Sequence, residues 1–456
     1  MEYKVTAILP SYNVAAYIEQ CVQSVLDQTL QETEILCIDA GSTDGTWEKL
    51  EKLAALNPRI CLYKAEVKSY GYQMNLGIRK AQGEYIAIIE TDDYADPDMF
   101  ELLYNVAAKS KADVSKAAHY ELYEYGDGTY KEIPIDYIPE NYLSGTVFSP
   151  DEHPEVHDWD SNIWNALYRR EFLLDHKIGF QETSGAAFQD IAFQQMVWNE
   201  AERVVYSRYH IYHYRRVRVG ASTWNPNCVK YVHKAYSDLF ADPRTKESHK
   251  RWLHIRMIRA FFTEYRKTLC GMEKCDHSEA VDWFEDQIKE ALRSGLIETA
   301  DIWPPERDEI LRFLIDRELY TERIIKQADA VYRWLGDLKK SVAGKKVIIF
   351  GAGQYGMLLL PYLIKNGINV TALADNQIGL TNNTVFGLRI YSADEATRNI
   401  KDAYYIIANK RFGEQIRMQL SGMGVSDDHM TIFDGADRNL LDGLRRLPLL
   451  PERKNG

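Results

Sequence analysis

Five acidic residues follow a short apolar run within a span of nine positions, at Glu90, Asp92, Asp93, Asp96 and Asp98. Carboxylates this close repel one another unless a cation or solvent compensates their charge. One interpretation is a site for a hard divalent cation, Mn²⁺ or Mg²⁺, with Asp92 as ligand and Glu90 and Asp93 beside it. The other is a solvated loop that caps a helix, since Asp96 precedes a proline. We predict the metal role for the first three acids and the helix-cap role for Asp96 and Asp98.

Two other polar segments also come directly after apolar runs, at 10–13 and at 39–44. The carboxyl ends of parallel strands meet at one edge of a sheet, and ligands of such sheets bind there. Pro10 and Tyr12 could form a wall for a nucleotide base, and Asp39 could accept a hydrogen bond from an N–H of that base. Asp92 could hold a cation between two phosphates of the same nucleotide. Taken alone, the 39–44 segment fits a strand-to-helix turn with a cap at least as well.

The elements that would position these residues alternate between strands and helices. Apolar runs predict strands at 5–9, 34–39, 60–63 and 85–89, and helical spacing predicts helices at 16–26, 46–56 and 75–81. This alternation over residues 1–118 predicts a parallel sheet covered on both faces. Residues 119–225 are mixed, and residues 226–340 are mostly helical, with apolar stripes at 251–269, 280–296 and 307–338. Such stripes are typical of a packed core.

A second α/β unit is predicted over residues 341–436. Gly351, Gly353 and Gly356 follow an apolar strand and open a helix, and Asp375 lies about 20 residues further on, which fits a dinucleotide-binding loop. The unit is short for a complete dinucleotide fold. We therefore prefer the interpretation of a docking or oligomerisation domain, with a vestigial or regulatory nucleotide site, over that of a domain with an active NAD site. The basic tail, 437–456, is expected to be poorly ordered, and it could contact acidic lipid.

The bulk composition excludes some classes of protein. A net charge of −12 argues against a nucleic-acid partner, because phosphate contacts need a basic surface. The sequence has no secretory signal and no apolar run long enough for a transmembrane helix. Its six cysteines are scattered, which is typical of reduced thiols. These features predict a cytoplasmic protein, with peripheral contact at the inner face of the membrane as the alternative.

Four segments together resemble the family 2 glycosyltransferases of the GT-A fold: 5–13, 28–29, 38–45, and 81–86 with the acid cluster after it. The resemblance is strong from residue 5 to about 120 and weaker through 164–172, 188–193 and 212–222. The back unit, with Asp375 and Asn376 after its second strand, is similar to small Rossmann-like domains of bacterial sugar-modifying proteins. The resemblance implies an α/β fold class: a GT-A nucleotide-diphospho-sugar transferase domain over 1–225, with a nucleotide-binding half (1–118) and an acceptor half (119–225). A helical region (226–340) and the Rossmann-like domain would follow.

The resemblance also assigns roles to single residues. It implies nucleoside contacts for Pro10, Tyr12 and Asp39, and it places Glu90 and Asp92 at the two ends of an Asp-x-Asp metal motif. It also implies a general base at Asp190 and diphosphate contacts for Arg215 and Ser222. Four features differ from the family pattern: Glu90 in place of Asp, Ala40 in place of a second Asp, Gln189 in place of Glu, and the missing Ala-Arg before Asn75. His213 could add a third metal ligand, although a packed histidine is the more common case.

The function implied is inverting transfer of a sugar from a nucleotide-diphosphate donor, expected to be a UDP-sugar, to a hydroxyl. The acceptor would be a bacterial surface polysaccharide, a lipid-linked glycan or a glycoprotein. One alternative is an NAD(P)-dependent sugar oxidoreductase, although Tyr362 and Lys365 are one residue too close for a Tyr-x-x-x-Lys pair. The other alternative is a non-catalytic glycan-binding or scaffold protein derived from a transferase.

Overall fold

The chain folds into two sheets and an intervening set of helices. A computed structural model describes residues 3–124, 130–138, 144–159, 161–185, 187–216, 225–271, 276–377, 379–381, 383–385, 387–409, 411–433 and 440–441. In these residues a ten-stranded sheet forms the front of the molecule and a six-stranded sheet forms the back. The predicted α/β class is confirmed.

The front sheet contains the first ten strands: β1 (Val5–Ser11), β2 (Thr33–Asp39), β3 (Ile60–Lys64), β4 (Tyr85–Ile88), β5 (Tyr94–Ala95), β6 (Val114–Glu124), β7 (Tyr130–Ile135), β8 (Val147–Phe148), β9 (Ala166–Arg169) and β10 (Val204–Arg215). Their order is β3-β2-β1-β4-β9-β6-β10-β5, with β7 on β6 and β8 on β10. Strands β1 to β4 are mutually parallel, as predicted, whereas β9 is antiparallel to both of its neighbours.

Strand β1 lies between β2 and β4, in the predicted nucleotide-binding half. Its residues and those of β2 are buried throughout, as expected for strands covered on both faces. The register pairs Ser11 with Asp39 and Ile8 with Ile88. The chain segments that leave β1, β2 and β4 therefore emerge at one edge of the sheet, where the candidate site is located.

Seven helices accompany the front sheet in the described residues: α1 (Ile18–Leu26), α2 (Thr46–Leu56), α3 (Tyr70–Lys80), α4 (Met99–Ser110), α5 (Val156–Trp159), α6 (Arg170–Asp175) and α7 (Gln189–Glu200). Helix α2 has the predicted bounds. Helix α3 begins five residues before the predicted start, because the hydroxyl of Ser69 accepts a hydrogen bond from the N–H of Tyr72 and caps it. Helix α4 begins at Met99, without a side-chain cap.

The helical region contains α8 (Cys228–Ala241), α9 (Lys250–Gly271), α10 (Ser278–Arg293), α11 (Pro304–Ile315) and α12 (Arg317–Ser341). The predicted helical stretch at 307–338 is two helices, because the carboxylate of Asp316 accepts from the N–H of Leu319 and starts a new one. The apolar stripes form a core, as predicted: Phe261 stacks on Phe284 at 4.4 Å between ring centroids.

The back sheet contains β11 (Val347–Phe350), β12 (Val370–Ala374), β13 (Thr384–Val385), β14 (Leu388–Tyr391), β15 (Tyr404–Ile407) and β16 (Met430–Ile432), in the order β13-β14-β12-β11-β15-β16. All of its pairs are parallel except β13 with β14. Helices α13 (Gln354–Lys365), α14 (Ala393–Asn399) and α15 (Gly413–Gly422) connect the strands. None of the helices in the described part of the chain has the length and apolar character that crossing a bilayer requires.

Candidate active site

A cleft of about 430 Å³, which we call the front cleft, opens at the carboxyl ends of β1 and β4. It brings together six of the predicted site residues: Pro10, Tyr12, Glu90, Asp92, Asp190 and Arg215. Its other lining residues are Ser11, Val14, Ala40, Lys68, Ser69, Tyr70, Gln73, Thr91, Ile163, Trp164, Gly185, Ala187, Phe188, Tyr214 and Asn225. The cleft therefore combines residues that lie more than 200 positions apart in the sequence.

The loops after β1 and β2 are joined by side chains that hydrogen-bond to the backbone of the other loop. The N–H of Asn13 donates to the Ser42 hydroxyl at 2.9 Å, and the Asn13 side-chain oxygen accepts from the N–H of Thr43 at 2.9 Å. The Asp44 carboxylate accepts from the N–H of Ala15 at 2.9 Å. These bonds fix the loop that carries Tyr12, whose ring stays 37% exposed at the cleft.

Lys68 lies over the exposed ring of Tyr12, with its Nζ 3.8 Å from the ring centroid, and it also donates to the Tyr12 hydroxyl. The side-chain amide of Gln73, in α3, donates to the carbonyl oxygens of Ser11 and Ile38, near the ends of β1 and β2. Neither residue was predicted to belong to the site. Gln73 lies in the segment 69–75, which differs from the family pattern, and Lys68 directly precedes that segment, so spacing alone gives no signal for either residue.

Asp39 is buried at the end of β2 and does not line the front cleft. Its carboxylate accepts from the N–H groups of Gly41 at 3.0 Å and Ser42 at 2.8 Å. It therefore holds the turn that follows β2, which was the structural alternative for this segment. A carboxylate can accept further hydrogen bonds, so its contact with a nucleotide base stays a prediction.

Glu90 is engaged by a tyrosine that the sequence did not indicate. The Tyr70 hydroxyl donates to Oε1 of Glu90 at 2.5 Å, and the Glu90 N–H donates to the Tyr212 hydroxyl at 3.1 Å. Burial and the Glu90 charge raise the pKa of Tyr70 well above its ordinary value, which keeps the phenol protonated as a donor. The extra methylene of Glu90, compared with an aspartate, is thus used to reach Tyr70.

Asp93 is fully buried and does not line the front cleft. Its two oxygens accept from the Tyr212 hydroxyl at 3.0 Å and from the N–H of Arg215 at 2.8 Å. Burial, followed by the charge of Asp92, raises the pKa of Asp93 well above its ordinary value. In this conformation Asp93 ties the end of β10 to the acid cluster, and its service as a metal ligand stays a prediction.

Arg215, the last residue of β10, lies beside the acid cluster. Its guanidinium donates to the carbonyl oxygen of Asp92 and, at 2.7 Å, to the side-chain oxygen of Gln20. The same group lies 5.0 Å from the ring centroid of Tyr17. Arg215 therefore fixes the backbone at Asp92 and borders the cleft, whereas Ser222, its predicted companion at the diphosphate, lies outside the described residues.

Asp96 does not cap a helix, so that prediction is wrong. The helix after it begins at Met99, and the Asp96 carboxylate instead lies 3.0 Å from Nε2 of His213. The other ring nitrogen of His213 lies 2.8 Å from Glu132, and the ring stacks on Tyr94 at 4.3 Å between centroids. His213 is thus a packed histidine between two carboxylates.

Asp190 reaches the front cleft from the first turn of α7. Burial raises the pKa of its carboxyl above the ordinary value, against hydrogen bonds from the N–H groups of Asp190 and Ile191 and the charge of Arg256, which lower it. A carboxylate with a raised pKa is a better proton acceptor, which suits a general base. Phe188, two residues earlier, has a left-handed backbone with φ 62°, a strained conformation for a bulky residue that is often found at functional sites.

Gln189 fixes the loop that presents Asp190. Its side-chain oxygen accepts from the N–H of Gly71, and its amide nitrogen donates to the Thr183 hydroxyl at 2.7 Å and the Gly185 carbonyl at 3.1 Å. Gly71 has no room for a side chain, because a Cβ there would lie 2.1 Å from the carbonyl oxygen of Gln181. The first turn of α3 and the loop before α7 are therefore locked together.

The front cleft offers oxygen ligands of the kind that Mn²⁺ and Mg²⁺ prefer, in Asp92 and Glu90. Among the described residues, no group of three or more His, Cys, Asp or Glu side chains is arranged to hold a metal by itself. A cation at Asp92 could take further oxygens from water and from a ligand, such as the phosphates of a nucleotide. The chemistry of the cleft fits a metal bound together with a diphosphate.

The glycine-rich loop of the back domain borders a separate cavity of about 520 Å³. Gly356 packs tightly there, since a Cβ would lie 1.8 Å from the carbonyl oxygen of Gly351. The Asp375 carboxylate accepts from the N–H of Ala352 at 2.7 Å and from that of Gln377 at 2.8 Å. The acid expected at a nucleotide ribose thus also holds the loop together, and the docking interpretation of this domain stays a prediction.

Two family models match the chain. One, described as "Glycosyl transferase family 2", matches residues 6–176, and the other, described as "C2185-like, N-terminal", matches residues 343–431. The first covers the nucleotide-binding half and part of the acceptor half of the front domain. The second covers nearly all of the back sheet.

Two curated relatives are named as glycosyltransferases. Glycosyltransferase GlyG of Streptococcus pneumoniae serotype 4 is 30% identical over 256 residues, which cover 52% of this chain and 81% of GlyG. The uncharacterized glycosyltransferase EpsJ of Bacillus subtilis is 31% identical over 236 residues, covering 50% of this chain and 63% of EpsJ. The similarity spans about half of the chain in each case.

The fold is shared with a solved structure, that of S. aureus TarS 1–349 in complex with UDP-GlcNAc. The two align with a TM-score of 0.53 at 17% identity, covering 73% of this chain and 92% of the TarS chain. At this identity the likeness concerns the architecture, and it supports the GT-A assignment of the front sheet and its helices.

Proposed function

The chain belongs to glycosyl transferase family 2 and is a glycosyltransferase. From this premise we propose that it uses a UDP-sugar and transfers the sugar with inversion of configuration at the anomeric carbon. The acceptor in this proposal is a hydroxyl of a bacterial surface polysaccharide, a lipid-linked glycan or a glycoprotein, in the cytoplasm or at the inner face of the membrane. A nucleoside site is supported by the positions of Pro10 and Tyr12 in the front cleft, and the choice of UDP is supported by the UDP-GlcNAc in complex with TarS.

One observation carries the proposal: the front cleft holds Asp92, which follows β4, and Asp190, in the first turn of α7, in one space. Asp190 removes the proton of the acceptor hydroxyl as the hydroxyl oxygen bonds to the anomeric carbon. The bond from that carbon to the diphosphate oxygen breaks on the opposite face, and the nucleoside diphosphate leaves with the bonding electrons. Mn²⁺ or Mg²⁺ at Asp92, with Glu90 and Asp93 nearby, would supply positive charge for the departing diphosphate.

The experiment is to incubate the purified full chain with a panel of nucleotide sugars, with and without Mn²⁺, and to measure nucleotide release. We expect metal-dependent release from one UDP-sugar and none from the Asp92→Ala variant. The Asp190→Asn variant should bind the donor as the wild type does but transfer its sugar about 10²–10⁴-fold more slowly. If no donor binds or turns over while NADH is bound or oxidised, the proposal fails in favour of the oxidoreductase alternative.

A further inference from the structure

A second cavity, which we call the helical cavity, adjoins the front cleft on the side of the helical region. It has a volume of about 580 Å³, which is typical of small-ligand sites. It is lined by Ser161, Phe188, Asp190, Ile191, Val232, Ile255, Arg256, Ile258, Arg259, Ala260, Phe262, Thr263, Glu264, Arg266, Ile302, Trp303, Glu306, Glu309, Ile310 and Leu358. Most of these residues lie on α9 and α11, outside the part of the chain that matches the family model.

Phe188 and Asp190 line both cavities. The wall between the cavities is therefore the short loop that leads into α7, held by Gln189 and by the strained backbone of Phe188. In the proposed reaction the acceptor hydroxyl lies between the base and the anomeric carbon of the donor, so the donor site and the acceptor site must meet beside the base. A carboxylate shared by two adjoining cavities meets that requirement if one cavity holds the donor and the other holds the acceptor.

We propose that the helical cavity binds the acceptor, and that the bound part of the acceptor is an uncharged sugar unit whose hydroxyl faces Asp190. This inference rests on the proposed function and adds the location and chemical class of the second substrate. It also gives a role to the helical region, since α9 and α11 build most of the site.

The charges in the helical cavity are paired with one another. Arg259 lies 3.0 Å from Glu306, and Arg266 lies 2.6 Å from Glu309. Glu264 is paired in the same way, with a lysine on its own helix at 2.6 Å. Such a wall offers donors and acceptors of both signs with little net charge, which suits sugar hydroxyls better than a phosphate or a carboxylate.

Arg256 differs from the other arginines of the cavity. Its Nη2 donates to the Ser161 hydroxyl at 2.6 Å, and among the described residues it makes no ion pair within 4 Å. Its guanidinium is close enough to lower the pKa of Asp190. Trp303, which is 37% exposed, adds an aromatic surface to the same cavity. A cation beside the base and an exposed ring are features of an orienting site for a polar ligand.

The test fills the helical cavity from α9 with Ala260→Trp and, separately, with Thr263→Trp. Ala55→Trp, at an exposed position on α2, introduces the same residue away from both cavities and serves as the control. Binding of a panel of methyl pyranosides is measured by saturation-transfer NMR in the presence of UDP, and UDP binding is measured separately. Thermal unfolding checks that each variant is folded, and the second filling variant is used if the first is not.

We expect at least one methyl pyranoside to bind the wild type and the Ala55→Trp variant, and its signals to be lost in both filling variants while UDP binding is unchanged. Pyranoside binding that survives a folded filling variant would overturn the location. A wild type that binds UDP but none of the pyranosides would overturn the chemical class. A wild type that binds no UDP and releases no nucleotide would instead refute the proposed function, so the two failures are distinguishable.

Discussion

Replacing Tyr70 by phenylalanine tests whether the Tyr70 hydroxyl holds the Glu90 carboxylate in solution. The substitution removes only the hydroxyl that donates to Oε1 of Glu90 at 2.5 Å, and it keeps the ring that packs edge-on against Phe180 at 5.8 Å between centroids. The chain supplies a matched control in Tyr104, whose hydroxyl donates to a carboxylate oxygen of Glu84 at 2.8 Å on the exposed surface. The two variants therefore delete the same type of hydrogen bond in different surroundings.

The expected cost follows from the difference in burial. A hydrogen bond to a charged group contributes about 1.5–3 kcal/mol to the free energy of unfolding, and the partner left behind at Glu90 is only partly accessible to water. Tyr70→Phe should lower the free energy of unfolding by about that amount. Water can replace the hydroxyl at the exposed control pair, so Tyr104→Phe should change it by about 0.5 kcal/mol or less.

Equilibrium unfolding in urea, followed by tryptophan fluorescence, measures both values. A lower midpoint with an unchanged slope reports a change in stability rather than in the compactness of either state. If Tyr70→Phe costs no more than Tyr104→Phe, then Glu90 is not held by Tyr70 in solution. The explanation given above for a glutamate at this position would then be refuted.

Three further predictions concern the site and its support. Glu90→Gln keeps an oxygen that can accept from the tyrosine, so metal-dependent nucleotide release should fall by about tenfold or less, whereas Asp92→Asn should lower it on the order of 100-fold or more. The Asp190 carboxyl acts as a base only when it is ionised, and its pKa is raised, so the rate of transfer should increase with pH above the ordinary aspartate range. Arg256→Gln removes a positive charge that lowers this pKa, so the rise in rate should move to higher pH. Arg256→Lys keeps a positive charge and should return the rise in rate to its wild-type pH. Arg266→Met leaves a buried carboxylate without its cation and should lower the free energy of unfolding in urea by about 3–5 kcal/mol, while the same change in an exposed arginine of α10 should have little effect.

Local features of the sequence were sufficient for much of the fold. The helix at 46–56 and the edge where β1, β2 and β4 end follow from apolar periodicity and turn residues, which act over a few positions. The errors occurred where one side chain decides between alternatives. Ser69 starts α3 early, and Asp316 divides a helical stretch in two. The Asp96 carboxylate pairs with a histidine 117 positions away and does not cap a helix N-terminus.

The candidate site was predictable only in part, for a related reason. Motifs identify residues at the ends of strands and in the first turn of a helix, and six of those residues line one cleft. The partners that give them their properties come from distant segments: Tyr70 for Glu90, and Arg256 for Asp190. The helical cavity depends on the placement of α9 and α11 beside the start of α7, which periodicity does not determine.

Three of the four departures from the family pattern, all except Ala40, are connected in the structure, and this bears on the scaffold alternative. Glu90 bonds to Tyr70 in the altered segment before Asn75, and Gln189 bonds to the backbone of Gly71 in the same segment. Substitutions that accumulate after activity is lost are not selected to form hydrogen bonds with one another in the cleft. Buried polar groups without hydrogen-bond partners would then be expected there. Here the replaced residues supply one another's hydrogen-bond partners and hold together the loops that carry Asp92 and Asp190. That arrangement favours a site rebuilt around a working cleft over one that has decayed.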